Sequence, residues 1–170
     1  HLEDSLERTW QCATIQLDFA MPERFDLTYV DENDQRQRPV MIHRVLYGAL
    51  ERFIAILTEH YAGAFPTWLA PVQAQILPVG DDYLGYAKEV AQKLAEHGLR
   101  LEVDGRDEKL GKKIREAQLQ QIPYMLIVGQ KEKDTGQVAV RHRRRGDLGA
   151  FSLEKFAQKV TAEINSKAQE

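Results

Sequence analysis

Cysteine is all but missing from this chain. Cys12 stands alone in 170 residues, so no disulfide framework can form within it, and the composition suits a reducing compartment. No run of eighteen apolar residues exists, and no charged start leads into an apolar core with a cleavage site; a soluble chain is the expectation. Neither sign of charge dominates. With 23 Lys and Arg against 26 Asp and Glu, the formal net charge of -3 gives no overall basic field to attract nucleic acid, and any such binding must come from a local patch. Catalytic signatures are as scarce: there is no P-loop, no GxGxxG, no paired-cysteine metal motif and no Ser-His-Asp spacing. Repeats and low-complexity segments are also absent. The chain lacks an initiator Met and opens in mid-pattern with HLEDSLERTW, which suggests a piece of something longer.

What is present is most informative between positions 39 and 63, PVMIHRVLYGALERFIAILTEHYAG. Val40, Ile42, Val45 and Leu46 predict a buried strand, Gly48 a turn, and Leu50, Phe53, Ile54, Leu57 and Tyr61 one helical stripe facing a core. Arg52 falls off that stripe in the helix's first turn, where a cation meets the positive end of the macrodipole and calls for an anion. From position alone, Glu51 or another solvent-facing acid is the simplest source.

Before that stretch, WQCATIQLDF alternates Ala13, Ile15, Leu17 and Phe19 against Cys12, Thr14, Gln16 and Asp18, the period of a half-buried strand. Gln11 stands just outside the alternation, so Gln11, Thr14, Gln16 and Asp18 form a row of hydrogen-bonding groups that by default faces water. Leu27 to Val30 predicts another strand, and DENDQRQR a hairpin tip. A few antiparallel strands and one helix make an incomplete domain, lacking both further strands and a second layer.

Two prolines in AFPTWLAP mark a boundary, after which the pattern changes. Val72, Ala74, Ile76, Leu77 and Val79 predict a strand; Leu84, Ala87, Val90, Ala91 and Leu94 a helix that Gly98 terminates. A strand over 99–103, a helix over 108–121 and the apolar YMLIV strand follow, then a charged turn after Gly129, a strand through Val138 and Val140, and a last helix capped by Ser152. Strands alternating with helices imply an α/β domain with a mostly parallel sheet.

Two basic features suggest chemistry. Arg141, Arg143 and Arg145 would share one face of an extended strand, with His142 and Arg144 opposite, either guarding a sheet edge or meeting phosphates. Arg106, Lys109, Lys112, Lys113 and Arg115 form a second cluster, which shifts the balance towards RNA or another polyanion. Arg115 and Arg141 have the flat, bidentate donors that base readout needs. Cys12 and His43 offer two ligands where zinc prefers four, so by themselves they read as a packed cysteine and a strand histidine.

At WQCATIQLDF, MPERFDLTYV, PVMIHRVLYGALERF, FPTWLAPVQ, DGRDEKLGKKIREAQLQQIPYMLIVG and RHRRRGDLG, the chain resembles the C-terminal part of the bacterial threonyl-tRNA synthetases, with little or no gap from end to end. The resemblance implies an α/β protein: an antiparallel-sheet remnant of a class II synthetase core over 1–66, with motif 3 at 39–63, then an anticodon-binding domain over 67–170 whose mixed, mostly parallel sheet is flanked by helices. It further implies that Arg52 is the motif 3 arginine that contacts ATP, which the parent enzyme uses with magnesium, that Gln11 and Thr14 lie around the adenylate with Gln16 on the same polar face close to the substrate, and that His43 is one of three zinc ligands. Asp107, Arg115, Glu132 and Arg141 would read anticodon bases. The implied partners are threonine tRNA, threonine, ATP and a second copy in a cytoplasmic homodimer, with no membrane.

Three positions depart from the family pattern: Ala13 replaces the usual Gly, Ala49 the usual Ser, and Asp107 the usual Asn. Ala13 adds a methyl and Ala49 removes a hydroxyl. Asp107 exchanges an amide for an acceptor-only carboxylate that repels phosphate, or alternatively caps the second helix. Motifs 1 and 2 and the remaining zinc ligands are not in this sequence. The expectation is therefore a synthetase fragment whose parent attaches threonine to its tRNA; the alternative is a free-standing tRNA-binding or regulatory module without aminoacylation activity.

Overall fold

The computed structural model describes residues 1–169 and divides into two compact units, His1–His60 and Tyr61 onward. In the first, β1 (Leu2–Glu3) pairs with β2 (Thr9–Trp10), and β3 (Thr14–Asp18) leads through the short α1 (Ala20–Arg24) to a hairpin of β4 (Tyr29–Val30) and β5 (Arg36–Gln37). Then β6 (Met41–Val45) returns antiparallel to β3, and α2 (Leu50–Tyr61) closes the unit. Asp4 organises the entry: its carboxylate accepts the Trp10 indole N–H at 2.8 Å, the Arg8 guanidinium at 2.6 Å and two backbone N–H groups. Burial pushes the Asp4 carboxyl up, but these hydrogen bonds outweigh it and hold the group well below the usual carboxylate range.

The apolar periods of this unit are real, but the burial expected of them is not found. Ile15 is 69 % exposed, Leu17 60 %, Phe19 64 % and Ile42 63 %, while Val40, Val45 and Leu46 are exposed as well. On α2 the expected inward stripe also faces outward at Leu50 and Ile54, and the buried residue is Ile56. Two-stranded sheets have no second layer to receive these side chains, so alternation marks a face that nothing among the described residues covers. The strands are shorter than the periodicity suggested: Leu27 lies outside β4, and 11–13 separates β2 from β3.

The second unit has a core on both sides of a five-stranded sheet. Its elements are β7 (Ala74–Pro78), a 3₁₀ turn (Asp81–Tyr83), α3 (Leu84–Ala95), β8 (Leu101–Val103), α4 (Leu110–Leu119), β9 (Tyr124–Val128), α5 (Gln130–Thr135), β10 (Gln137–His142), β11 (Gly146–Ser152) and α6 (Leu153–Asn165). The strand order is β11-β10-β9-β7-β8. Pairing is parallel among β8, β7 and β9 and antiparallel at β10, so four of the five strands run the same way. Val90 and Leu94 of α3 and Phe156 and Val160 of α6 pack on Ile76, Leu126 and Val140 on one face. On the other, Ala117 of α4 packs with Leu77, Ile122 and Met125. The three-layer arrangement follows from strands apolar on both faces, which need helices above and below.

Two expectations change here. The segment after Gly129 is a short helix, α5, rather than a turn, because Glu132 reaches back to accept the Gly129 N–H at 3.0 Å. The basic run is not an extended strand at a sheet edge: β10 lies inside the sheet and ends at His142, Arg143 to Arg145 form a hairpin turn, and β11, not foreseen, takes the edge. Ser152 does cap α6, its Oγ accepting the Lys155 N–H at 3.3 Å. No helix among the described residues is long and apolar enough to cross a membrane.

Candidate functional site

In the first unit, the β3–β6 register sets Gln16 directly opposite His43, with Thr14 opposite Val45 and Asp18 opposite Met41. Alternation then puts Thr14, Gln16 and Asp18 on one face with His43. His43 Nε2 lies 3.1 Å from Asp18 Oδ2, while Asp18 Oδ1 accepts the N–H groups of Ala20 and Met21 at 2.9 and 3.0 Å. Those backbone bonds, chiefly from Met21, together with His43 hold the Asp18 carboxyl below its ordinary value. Gln11 and Gln16 are exposed, and Gln16, Asp18 and His43 line an open recess. Thr14, Gln16 and Asp18 therefore form the polar row, while Gln11 lies outside it between β2 and β3.

Arg52 stands on the first turn of α2, which begins after the Gly48 turn. Gly48 has φ 70°, and a Cβ there would come within 3.1 Å of the Cys12 carbonyl oxygen. Backbone packed this closely onto Cys12 accounts for the glycine. Arg52 is exposed and makes no hydrogen bond or ion pair among the described residues; Glu51 does not answer its charge. No hydrogen bond joins Arg52 to the His43 face either.

Zinc is a poor fit to these residues alone. No group of three or more His, Cys, Asp or Glu side chains among the described residues could hold a metal, and buried Cys12 adds nothing to the His43–Asp18 pair. One histidine and one carboxylate fall short of a tetrahedral set.

In the second unit, Asp107 lies in the loop between β8 and α4, exposed, and it does not cap the helix: the residue at the cap position is Lys109. Arg115 is on the solvent side of α4. Glu132 is on α5, held by the Gly129 N–H through Oε2. Arg141 sits on β10, opposite Met125 of β9 and Asp147 of β11, where the β10–β11 register shifts. Its guanidinium is half-buried and its Nε is buried with no hydrogen-bond partner among the described residues. The topology thus puts Asp107 on the loop past the C-terminal end of β8 and Glu132 on the short helix past the C-terminal end of β9. Arg115 and Arg141 lie instead on α4 and on the sheet face that α4 covers.

Part of each basic cluster is not free charge. The Arg143 guanidinium donates to the carbonyls of Gln121, Ala64 and Phe65 at 2.6 to 3.1 Å, while buried His142 accepts the backbone N–H groups of Arg144 and Arg145 on Nδ1, which fixes the turn without engaging their charges. Lys113, read as part of a surface cluster, is 2 % exposed. Arg106 is paired with Asp104 and Glu116, and Lys112 with Glu108. Lys109, Arg115, Arg141 and Arg145 remain without an ion-pair partner among the described residues. The basic pattern gave no weight to Asp104 and Glu116, although Asp104, two residues before Arg106, was a visible sign of pairing.

Residues 73–163 match the family described as the anticodon binding domain, which covers more than half of the chain. The chain belongs to that family. Residues 2–61 match the tRNA synthetase class II core domain (G, H, P, S and T). The anticodon-binding domain and the segment before it are together similar to the threonine--tRNA ligase of Caldanaerobacter subterraneus, with 59% identity over 99% of this chain and 26% of that protein. The enzyme of the same name from Syntrophomonas wolfei is 60% identical over 98% of this chain and 26% of its own length. The chain therefore spans about a quarter of these relatives. Among solved structures, the RNA binding domain of threonyl-tRNA synthetase from Cryptosporidium parvum aligns with TM-score 0.77 and 39% identity, over 95% of this chain and 41% of that one. The resemblance read from the sequence motifs is upheld, as is the mixed sheet flanked by helices.

Proposed function

We propose that this chain is the anticodon-reading portion of a threonine--tRNA ligase, together with the motif 3 end of its catalytic core, at 67–170 and 1–66. Its partner is then threonine tRNA. The observation that carries the reading is Arg141, a half-buried guanidinium whose Nε has no hydrogen-bond partner among the described residues. No hydrogen bond or ion pair among the described residues engages the rest of this half-buried side chain, so its exposed part is available to a base edge or phosphate. Arg115 adds an exposed guanidinium, while Asp107 and Glu132 offer acceptors for base amino groups. The unbroken match to synthetases supports this reading over a free-standing module.

For the parent enzyme we propose ATP-dependent threonylation in a cytoplasmic homodimer. Arg52, with no ion-pair partner among the described residues, has its charge available for the phosphates of magnesium-bound ATP, where a cation stabilises charge that develops on transfer. Gln11, Thr14 and Gln16 offer hydrogen bonds to the adenylate. His43 is a candidate zinc ligand only alongside donors that these residues do not supply.

The test is fluorescence anisotropy of the chain with a threonine anticodon stem-loop and with stem-loops carrying single exchanged anticodon bases. Tighter binding of the unaltered loop is expected. Equal affinity for all would overturn the assignment.

A further inference from the structure

The loop that carries Asp107 is held by a buried polar arrangement that touches no predicted base-reading residue. Lys113 on α4 is 2 % exposed, yet its ammonium donates to Pro78 O and Asp104 O, both at 3.2 Å. Pro78 ends β7 and Asp104 follows β8, so one side chain joins α4 to the C-terminal ends of two neighbouring parallel strands. Asp104, itself buried, receives the Arg106 N–H at 3.2 Å, Nε at 2.8 Å and Nη2 at 2.6 Å, while its own N–H donates to Ile76 O at 3.0 Å. Arg106 Nη1 then reaches Glu116 on α4 at 2.7 Å. On the far side of the loop, Glu108 pairs with Lys112.

Asp107 is the crown of this staple: the residues on either side are tied to β7, β8 or α4, while its own side chain stays exposed. Burying an ammonium is costly, and an apolar residue of similar volume would pack α4 equally well. What the buried charge adds is a fixed position for the strand ends and the loop.

We infer that Lys113, Asp104 and Arg106 are positioning residues for base discrimination, fixing the Asp107 loop relative to the helix that bears Arg115. The inference rests on the anticodon reading above. Base selectivity depends on geometry held to fractions of an ångström, whereas phosphate affinity tolerates displacement, so loosening the staple should degrade the first and spare the second.

The full chain, titrated with the threonine anticodon stem-loop and a single-base variant of it at several salt concentrations, tests this. Lys113→Met and Arg106→Gln should each lower the preference for the unaltered loop by about tenfold, with the salt dependence unchanged because neither residue meets a phosphate. Arg106→Lys should restore part of the preference. The Arg106 side chain is 53% exposed, so Arg106→Gln remains folded and informative even where Lys113→Met does not. Full preference in folded Arg106→Gln overturns the inference. So does an equal loss on both RNAs with a shallower salt dependence, which would make Arg106 a phosphate contact. A wild-type chain that binds both loops alike overturns the anticodon reading itself, and the positioning role with it.

Discussion

Arg106 grips Asp104 with two parallel hydrogen bonds, Nε to Oδ1 at 2.8 Å and Nη2 to Oδ2 at 2.6 Å. This fork holds the Asp104 carboxyl below its ordinary value of 3.8, against the burial that pushes it up.

Acid stability should report that pair. Because the folded carboxyl has the lower pKa, the unfolded chain takes up its proton first as pH falls. The stabilisation is complete above about pH 4, the unfolded pKa, and is lost as pH drops through the folded one. Urea midpoints of wild type and Arg106→Gln, compared from pH 7 to pH 2, should differ at neutral pH and converge in acid. A constant offset at every pH would show that the pair contributes nothing through protonation.

Gly48→Ala should destabilise the first unit by about 1–2 kcal/mol, since the added Cβ forces a left-handed backbone to carry a side chain. The carbonyl of Cys12 at 3.1 Å leaves that Cβ little room. Urea unfolding followed by Trp10 fluorescence in a Trp68→Phe background measures the change, and an unaltered midpoint would count against the close approach.

On the isolated chain, Arg141→Ala should weaken binding of threonine tRNA by about tenfold to a hundredfold. Arg52→Ala should leave it within about twofold, since the base and phosphate contacts are proposed for the second unit. Filter binding distinguishes them, and equal losses would contradict that division of labour.

Tyr124→Phe removes one hydroxyl from the second unit's core. Tyr124 is fully buried, and its O–H donates to Glu163 Oε2 at 2.7 Å, while Thr67 donates to the other carboxylate oxygen. The loss should be about 1–3 kcal/mol in chemical denaturation, as expected when a carboxylate loses a buried donor. A loss below a few tenths would mean that water replaces the hydroxyl.

Much of the second unit was legible in its sequence because packing there obeys local period. Ala87, Val90 and Leu94 recur at helical spacing and are all buried against the sheet, and the apolar YMLIV run is a strand covered on both faces. The edge strand β11 escaped notice because GDLGAFS is rich in small residues and has no clear alternation. In the basic stretches, residue type predicted solvent, but Arg143 is turned onto the carbonyls of Ala64 and Phe65, 79 and 78 positions away, and Lys113 onto those of Pro78 and Asp104. Such acceptors lie far off along the chain, so no local pattern announces them.

The sequence by itself determined the periods, the turns at Gly48 and Gly98, the Ser152 cap and the motifs that mark the family. Tertiary structure alone decided which apolar faces are covered and which cations remain available. Alternation at Ile15, Leu17 and Ile42 defines a face, but burial needs a partner layer, and only the folded chain reveals that none lies over it among the described residues. Likewise a lysine's charge is local, whereas its environment is set by distant strands: Lys113 and Arg115 are two residues apart, and one is sealed inside while the other faces solvent.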